Sequence, residues 1–462
     1  MPGNFAALSC FRPVFKTHYR PLLLLAYPVV LSQLGHVLVN FVDSVVVGQL
    51  GTAELAAISL GISTTTILLV LGLGFSMGSV PLVAAADGRQ DFPALGRLLG
   101  TSVWASAVVG LVLAGAGQLV PLLLHHLHQP PAVVALAAPW VRLISLSLLP
   151  LMVFQGFREF AEGLGLTRQA MVLSVAANVV NGLLCYALVL GAWGFPALGM
   201  VGAGWATLVA RVLMAALMAA YVLRAARLAP HRAAVPSWGR PHAATLRQLF
   251  RLGSPIGVQM MFEMGAFSLA AIMIGWLGAT ALAAHQVAIN VASITYMAAS
   301  GLAAAATVQV GRLRSTGNLA GARQAGFAAY WLAFGFMGTM GLLLVLSRHQ
   351  LPHLYDSNPA VIGQAAVLLL IAAGFQVSDG LQVVGLGALR GLEDVQVPSL
   401  VALLAYWAVA LPLGYGLGFG LKLGAPGVWL GLLLGLSIVA GVLLLRFRKE
   451  TAPAFSQPSV LT

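Results

Sequence analysis

Hydrophobic residues along this chain form long runs, and short polar segments separate one run from the next. A helix needs about 20 mainly apolar residues to cross the hydrocarbon core of a bilayer. The pattern predicts twelve membrane-spanning helices, at about 22–48, 55–84, 98–124, 133–157, 170–191, 198–222, 252–276, 283–310, 325–346, 361–388, 397–419 and 425–446. The fold class is therefore predicted to be an all-α membrane protein.

The first hydrophobic run follows Arg12, Lys16 and Arg20, an arrangement that also occurs in signal peptides. The apolar core of a signal peptide is about 7–15 residues long and is followed by a small-residue cleavage site. This run continues from Leu22 to about Leu50, and no such site follows it. We expect it to be retained as the first span.

Composition excludes a soluble fold. Hydrophobic residues make up 60% of the chain and charged residues 8%, and the mean hydropathy is +0.93. Soluble domains carry about a quarter charged residues, so this chain cannot cover itself with polar surface. The net charge of +12 does not indicate a nucleic-acid partner, because the basic residues lie in short connections and form no single face with interleaved aromatic residues.

The distribution of basic residues predicts the orientation in the membrane. If both termini and every second connection lie on one side, twenty of the 24 Lys and Arg residues lie on that side. The other side holds only Arg348 and Lys422, while Arg142 and Arg211 fall within spans. Basic connections stay in the cytoplasm. We therefore predict a multi-pass protein of the cell inner membrane with cytoplasmic N- and C-termini.

The two halves of the chain are similar to each other. Residues 28–57 align with residues 255–284 without a gap, at a constant offset of 227, and the matches include Pro28 with Pro255 and Gly51 with Gly278. Leu198-Gly199 aligns in the same way with Leu423-Gly424. Because each half contains an even number of spans, the repeats are parallel and are related by an axis along the membrane normal.

This repeat predicts the domain organisation. We expect an N-lobe at 1–223, a basic cytoplasmic linker at 224–251 and a C-lobe at 252–462, each lobe having six transmembrane helices. The substrate path is expected in a central cavity between the lobes.

Three acidic residues, Asp43, Glu263 and Asp379, lie well inside the apolar runs. A charge at this depth costs about 2.5–3.5 kcal/mol, so such residues usually face an interior cavity and mark ion or substrate pathways. Glu263 and Asp379 belong to the same half, and two carboxylates suit either an oxygen-lined cation site or a proton site. The alternative for each acid taken alone is a buried structural group with a polar neighbour.

Several segments resemble the MATE (multidrug and toxic compound extrusion) family, in its NorM-like branch. They read "PVVLSQLGHVLVNFVDSVVVGQLG", "LAAISLG", "LAAHQVAINVASITYM", "GFQVSDGLQVVGLGALRGLEDVQVP" and "FAEGLGLTRQ…NVVNGLLCYALVLG". The resemblance extends from about Pro21 to Arg446. It implies a twelve-helix, two-lobed transporter that exports drugs while Na⁺ or H⁺ moves inward.

The resemblance also implies site residues in the C-lobe. Glu263 and Asp379 match the acids of the family's cation site and are candidate Na⁺ ligands. Tyr296 matches an aromatic residue near that site, where its ring could face a cation, and Gln286 matches a nearby polar residue.

In the N-lobe, Asp43 matches the acid of the first span, and Asn181 and Thr207 match its polar partners on the fifth and sixth spans. These three are the predicted residues for proton or substrate binding. The family pattern has a second Asn where this chain has Cys185. A thiol is a poor ligand for a hard cation, so the departure argues against a full metal site in this lobe.

Other polar residues within or near the spans carry weaker signals. His125, His126 and His128 cluster in an outer connection, but no Cys or acid completes a metal site. His36 occupies the repeat position of Glu263 and is expected to be a packed or cavity residue. Arg142 and Arg211 are expected to be structural or snorkelling residues. The chain has no phosphate-binding P-loop motif, so no ATP and no cofactor beyond the coupling ion is expected.

The leading hypothesis is a secondary drug antiporter, functioning as a monomer, whose substrates are organic cations because acids outnumber arginines in the spans. One alternative is a flippase for lipid-linked oligosaccharides, a function found among related two-lobed transporters, although phosphate-bearing substrates would require several arginines in the cavity. An integral-membrane enzyme would require a nucleophile–base or metal constellation that the sequence lacks. A channel would not require a duplicated, two-lobed arrangement with acids in both halves.

The orientation can be tested with topology reporters. Fusions at both termini and within 224–251 should report a cytoplasmic location, because these segments hold most of the basic residues. A fusion next to Arg348 serves as the control and should report the opposite side. A periplasmic signal from 224–251 would contradict both the orientation and the parallel repeat.

Overall fold

The computed structural model describes residues 15–124, 130–235 and 240–452, and within these ranges the chain is helical with no strand. The long helices are α1 (Arg20–Gly48), α2 (Thr52–Gly88), α3 (Phe92–Leu124), α4 (Pro131–Gly163), α5 (Thr167–Leu190), α6 (Met200–Arg224), α7 (Ala243–Gly275), α8 (Ala279–Ser315), α9 (Leu319–Ser347), α10 (Pro359–Gly391), α11 (Gln396–Gly420) and α12 (Ala425–Glu450).

All twelve helices are long enough to cross a bilayer. Helices α2 to α12 are also apolar enough throughout a membrane-spanning window. Helix α1 has 29 residues, or about 43 Å of helix at 1.5 Å per residue, and only Arg20 and Asp43 in it are charged. The predicted all-α membrane fold is confirmed, and eleven candidate spans are found among the described residues, at α2 to α12.

Polar side chains mark where several helices begin. Asp91 Oδ1 accepts a hydrogen bond from Ala94 N at 2.9 Å before α3, and Asn318 Oδ1 accepts one from Gly321 N at 2.8 Å before α9. Asn358 plays the same part before α10, where Pro359 takes the first helical position. These caps satisfy amide groups that the first helical turn leaves without intrahelical partners.

Three of the long helices are interrupted within their length. Helix α2 breaks at Met77–Gly78, and α4 breaks at Ser147, between Pro131–Leu146 and Leu148–Gly163. Helix α11 contains two wider π-helical segments, Ala405–Ala410 and Gly416–Gly420, on either side of Pro412. A proline has no amide hydrogen and clashes with the preceding turn, and wider turns accommodate both defects.

Some helices extend beyond the predicted spans. The predicted seventh span starts at 252, whereas α7 starts at Ala243 and includes Arg247 and Arg251 in its first turns. Helix α4 continues to Gly163, so Arg158, assigned from sequence to a cytoplasmic connection, lies in the helix and forms a buried ion pair with Glu162 at 2.7 Å. Hydropathy locates the apolar part of a helix, while the backbone remains helical into the polar region.

The chain divides into two compact units. One consists of Pro28–Met264, and the other consists of the described residues before Pro28 together with those from Gly265 onward. The boundaries fall inside α1 and α7. The predicted linker 224–251 includes two short helices, Ala226–Leu228 and Ala229–Ala233, as well as the start of α7.

Within the first unit, α7 approaches α2 closely at glycines. A Cβ atom added to Gly74 would lie 2.5 Å from Gly257 Cα, and one added to Gly78 would lie 2.5 Å from Gly253 N. Since real side chains never come this close to backbone, these positions require glycine. Small residues of this kind are typical of tight contacts between membrane helices.

The repeat detected in the sequence has a counterpart in the backbone. Gly199, before α6, has φ 59° and ψ −141°, and its repeat partner Gly424, before α12, has φ 67° and ψ −145°. This combination is essentially restricted to glycine. The last helix of each half therefore begins with the same glycine-dependent turn.

Candidate functional site

The predicted site residues are divided between the two compact units. Asp43, Asn181, Thr207 and Glu263 belong to the unit Pro28–Met264. Asp379, Tyr296 and Gln286 belong to the other unit.

Asp43 lies at the centre of a polar cluster between α1, α5 and α6. Its side chain is 3% exposed. Thr207 Oγ1 donates a hydrogen bond to Asp43 Oδ2 at 3.3 Å, and the Cys185 thiol donates another to the carboxylate. Within the described part of the chain, Asp43 Oδ1 has no hydrogen-bond partner. The carboxylate is therefore held on one side and keeps an oxygen available on the other.

Helix α5 supplies a polar stripe to this cluster. Residues 174, 178, 181 and 185 are spaced by four, three and four positions, which places them on one face of a helix; they are Ser174, Asn178, Asn181 and Cys185. Asn181 is buried, and no described residue donates to its Oδ1. Such buried oxygens usually bind water, an ion or a ligand.

Helix α1 comes close to this stripe at Gly35. A Cβ atom at that position would lie 2.6 Å from Asn178 Nδ2. Gly35 is two helical turns before Asp43 on α1, so the close approach of the two helices brings Asp43 within reach of the α5 side chains. Glycine at position 35 is thus part of what positions the carboxylate.

Arg211 is a member of the site whose role the sequence did not reveal. It lies one turn after Thr207 on α6, and its positive charge acts on Asp43. Its Nη1 donates to Ser147 Oγ at 2.7 Å, at the break in α4, and Ser147 Oγ donates to Ile144 O at 2.6 Å. The four-residue spacing from Thr207 was the signal that could have identified it. Arg142, in contrast, is exposed.

The Cys185 side chain is fully buried and packs within the hydrophobic core of this unit. Its role here is that of a donor to Asp43. Among the described residues, no three His, Cys, Asp or Glu side chains lie close enough to hold a metal ion. The cluster around Asp43 combines one carboxylate with neutral donors and one arginine.

Glu263 is half-buried near the middle of α7. Gln259, one turn earlier, is 4% exposed and its Nε2 donates to Glu263 Oε2 at 3.3 Å. This orients the carboxylate from within its own helix. Glu263 and Gln259 also make further interactions.

Asp379 is buried on α10, at 6% exposure, between two buried glutamines on the same helix, Gln376 and Gln382. Gln382 Nε2 and the hydroxyl of Tyr406 lie 3.0 Å apart, which links α10 to α11. The spacing of three residues on either side of Asp379 was the sequence signal for these glutamines.

Aromatic rings surround this part of α10. Phe267 makes edge-to-face contacts with Phe375 and Tyr406, at centroid distances of 6.1 and 5.8 Å. Phe375 packs against Trp429 at 5.4 Å, and Trp429 Nε1 donates to His285 Nδ1 at 3.1 Å.

The structure places the other two predicted residues on α8. Gln286 is exposed, whereas its neighbour His285 is buried. Tyr296 is half-buried and makes interactions of its own. His125, His126 and His128 lie outside the described residues, and the His36 side chain is likewise not described.

The MatE family model matches the chain twice, at residues 28–187 and 255–416. The two starts, 28 and 255, differ by 227, which is the offset of the internal repeat. The matches cover both halves, and each begins at a proline inside a long helix, Pro28 of α1 and Pro255 of α7.

Curated relatives match over nearly their whole length. A probable multidrug resistance protein NorM of Rhizobium meliloti is 34% identical over 452 residues, which cover 96% of this chain and 97% of the relative. A protein of the same name in Rhodopseudomonas palustris is 36% identical over 464 residues, with 98% of each chain covered.

Solved structures share the fold. The eukaryotic MATE transporter AtDTX14 has a TM-score of 0.86 at 20% identity, with 95% of this chain and 98% of that chain covered. A MOP superfamily transporter from Pyrococcus furiosus has a TM-score of 0.84 at 18% identity, with 93% and 95% covered. The relatives and the two-lobed fold of the present chain are those of transporters and not of enzymes. The chain belongs to the MatE family of multi-pass membrane transporters.

Proposed function

We propose that the protein is a secondary active multidrug efflux antiporter of the cell inner membrane. It exports lipophilic, mostly cationic compounds while Na⁺ or H⁺ moves inward, and it functions as a monomer with both termini in the cytoplasm. Membership of the MatE family and the names of the curated relatives support export of drugs. The observation that carries the proposal of coupling to a cation is the buried Asp43 carboxylate, with one oxygen that the described residues leave without a partner.

Asp43 is suited to exchange one positive charge for another. Desolvating a carboxylate at membrane depth costs about 2.5–3.5 kcal/mol, and a bound cation or proton lowers this cost. Thr207 and Cys185 hold one face of the group, and Asn181 offers an oxygen nearby on α5. In the proposed mechanism a proton or an organic cation binds here, and Asn181 and Thr207 orient it.

Arg211 competes with an incoming cation for the negative charge of Asp43. Its charge already offsets part of the negative charge of Asp43, and its hydrogen bond to Ser147 tethers it to α4. An incoming cation must therefore bind Asp43 in competition with a guanidinium that cannot leave. Release of the cation is favoured by the same competition, which suits a site that must bind and release in each cycle.

The second half is proposed to bind the coupling ion. Glu263 and Asp379 are each proposed as a carboxylate for the coupling ion, within its own compact unit, and Tyr296 and Gln286 are proposed as accompanying side chains in the unit of Asp379. Na⁺ is a hard cation that prefers oxygen ligands, and a proton requires only a carboxylate, so both ions remain candidates.

Efflux from proteoliposomes tests the proposal directly. The purified protein is reconstituted, an ethidium-like dye is loaded, and inward Na⁺ and pH gradients are imposed separately. We expect at least one gradient to drive dye export well above the gradient-free rate, and anionic amphiphiles to be exported poorly. Dye movement that no gradient accelerates would refute antiport, and gradient-independent movement of a lipid-linked sugar would favour the flippase.

Variants of the three acids test the site assignment. Glu263→Gln and Asp379→Asn should abolish gradient-driven efflux, because each removes a proposed carboxylate for the coupling ion. Expression should stay near normal, because removing a buried charge lowers the cost of membrane insertion. Asp43→Asn should lose dye export while isotope uptake still detects cation binding in the second half. Glu54→Gln, near the start of α2, is the matched control. Full gradient-dependent export by any of the three variants would remove that residue from the mechanism.

A double-mutant cycle tests the interaction between Asp43 and Arg211. Arg211→Met should lower the free energy of unfolding, because it leaves a buried carboxylate less compensated, and Asp43→Asn should recover part of the loss. The expected coupling is at least about 1 kcal/mol, measured by denaturant unfolding in detergent. The exposed Arg142→Met combined with Asp43→Asn should be additive. Additivity at Arg211 as well would show that the two charges act independently.

A further inference from the structure

A cavity remote in sequence from Asp43, Glu263 and Asp379 lies in the unit that contains α8 to α12. It has a volume of about 460 Å³ and opens between the turn before α1, the start of α9 and the end of α12. Its lining includes His18, Arg323, Gln324, Phe327, Trp331 and Thr451.

One wall of this cavity is polar. His18 Nε2 donates to Gln324 Oε1 at 3.0 Å, which ties the segment before α1 to α9. The Arg323 guanidinium lies 5.7 Å from the centroid of the Phe327 ring, and its Nη1 is 3.5 Å from Thr451 O. Within the described ranges, no carboxylate pairs with Arg323. Most of its hydrogen-bond donors therefore remain available.

The opposite wall is apolar and continues onto the outer surface of α9. Trp331 is 64% exposed and makes an edge-to-face contact with Phe334, which is 48% exposed. Exposed aromatic residues on a membrane helix contact lipid, and tryptophan prefers the level of the headgroups. The cavity thus joins a basic, hydrogen-bonding wall to a lipid-facing aromatic surface.

The charge around the cavity is positive. Arg448 and Lys449 lie in the last turn of α12, just before Thr451. The acids at this end are already paired, since Arg446 contacts Asp394 at 2.5 Å and Glu450 at 3.9 Å. The distribution of basic residues assigns this end to the cytoplasmic side, where the leaflet contains anionic lipids.

We propose that this cavity binds the headgroup of an anionic phospholipid from the cytoplasmic leaflet. The phosphate lies at Arg323 and His18, and the acyl chains run along Phe327 and Trp331. Charge complementarity selects the anionic headgroup, and the aromatic wall selects a lipid over a free phosphate, which has no apolar part.

Lipid titration by native mass spectrometry tests the proposal on the purified full chain in detergent. Phosphatidylglycerol is the probe, and phosphatidylcholine with the same acyl chains is its neutral counterpart. Arg323→Gln should weaken binding of phosphatidylglycerol about fivefold, because one basic residue near the membrane surface contributes about that factor. Arg323→Lys keeps the charge and should retain most of the affinity, which also shows that the position tolerates change.

Arg348→Gln is the matched control, since Arg348 directly follows the other end of α9. It should bind phosphatidylglycerol like the unmodified protein. Equal losses in Arg323→Gln and Arg348→Gln, or equal affinity for both lipids, would overturn the proposal. Stronger lipid binding after deletion of residues 453–462 would assign the cavity to that segment of the chain and would equally overturn it.

Discussion

Membrane helices gain little from the hydrophobic effect when they associate, because the lipid around them is as apolar as their own side chains. Their packing depends on close approach, and close approach depends on small residues. Here Gly74 and Gly78 meet Gly257 and Gly253 with no room for a Cβ atom. In the other unit, Gly387 packs against the backbone of Ala303 in the same way. The positions of the helices, and hence of every polar side chain between them, depend on these contacts.

The Asp43 cluster is a consequence of such packing. Gly35 allows α1 to approach the polar face of α5, and Thr207 and Arg211 face the carboxylate from α6. In a medium without water, each of these groups needs a partner from the protein or from a ligand. The cluster meets part of that need with a thiol and a hydroxyl. Among the described residues, nothing donates to one buried oxygen of Asp43 and one of Asn181. These two oxygens are therefore available to a bound ligand.

Cys185 and Arg211 make this cluster different from a metal site. A thiol donates to a carboxylate but coordinates hard cations poorly, and a fixed arginine supplies positive charge that a metal ion would otherwise bring. Both features lower the demand for a strongly bound ion at Asp43. They are compatible with weak, reversible binding of a proton or a bulky cation.

Much of the fold follows from patterns that are local in sequence. The twelve spans could be predicted because each helix must be apolar for about 20 residues, and the repeat because a constant offset survives between the halves. Helix ends were harder to predict. Helix α7, for example, includes Arg247 and Arg251, where the hydropathy of the sequence no longer differs from that of a loop.

The sequence also showed that the three acids fall well inside long helices, but the partners of these acids were harder to predict. Arg211 joins Ser147, 64 positions away, and Gln382 joins Tyr406, 24 positions away. Those pairs depend on how helices are rotated and packed, which periodicity alone does not determine. Gln286 and His285 show the same limit of sequence-based prediction. They are adjacent on α8, yet Gln286 is exposed and His285 is buried.

The two compact units do not coincide with the two halves of the sequence. Residues 252–264, from the predicted C-lobe, complete the unit formed mainly by the first half, and the described residues before Pro28, from the predicted N-lobe, belong to the other unit. Each half of the sequence therefore contributes its leading segment to the unit formed mainly by the other half, as protomers do in a domain-swapped dimer. During synthesis the unit Pro28–Met264 therefore remains incomplete until the ribosome has passed Met264, so its folding is tied to translation of the second half.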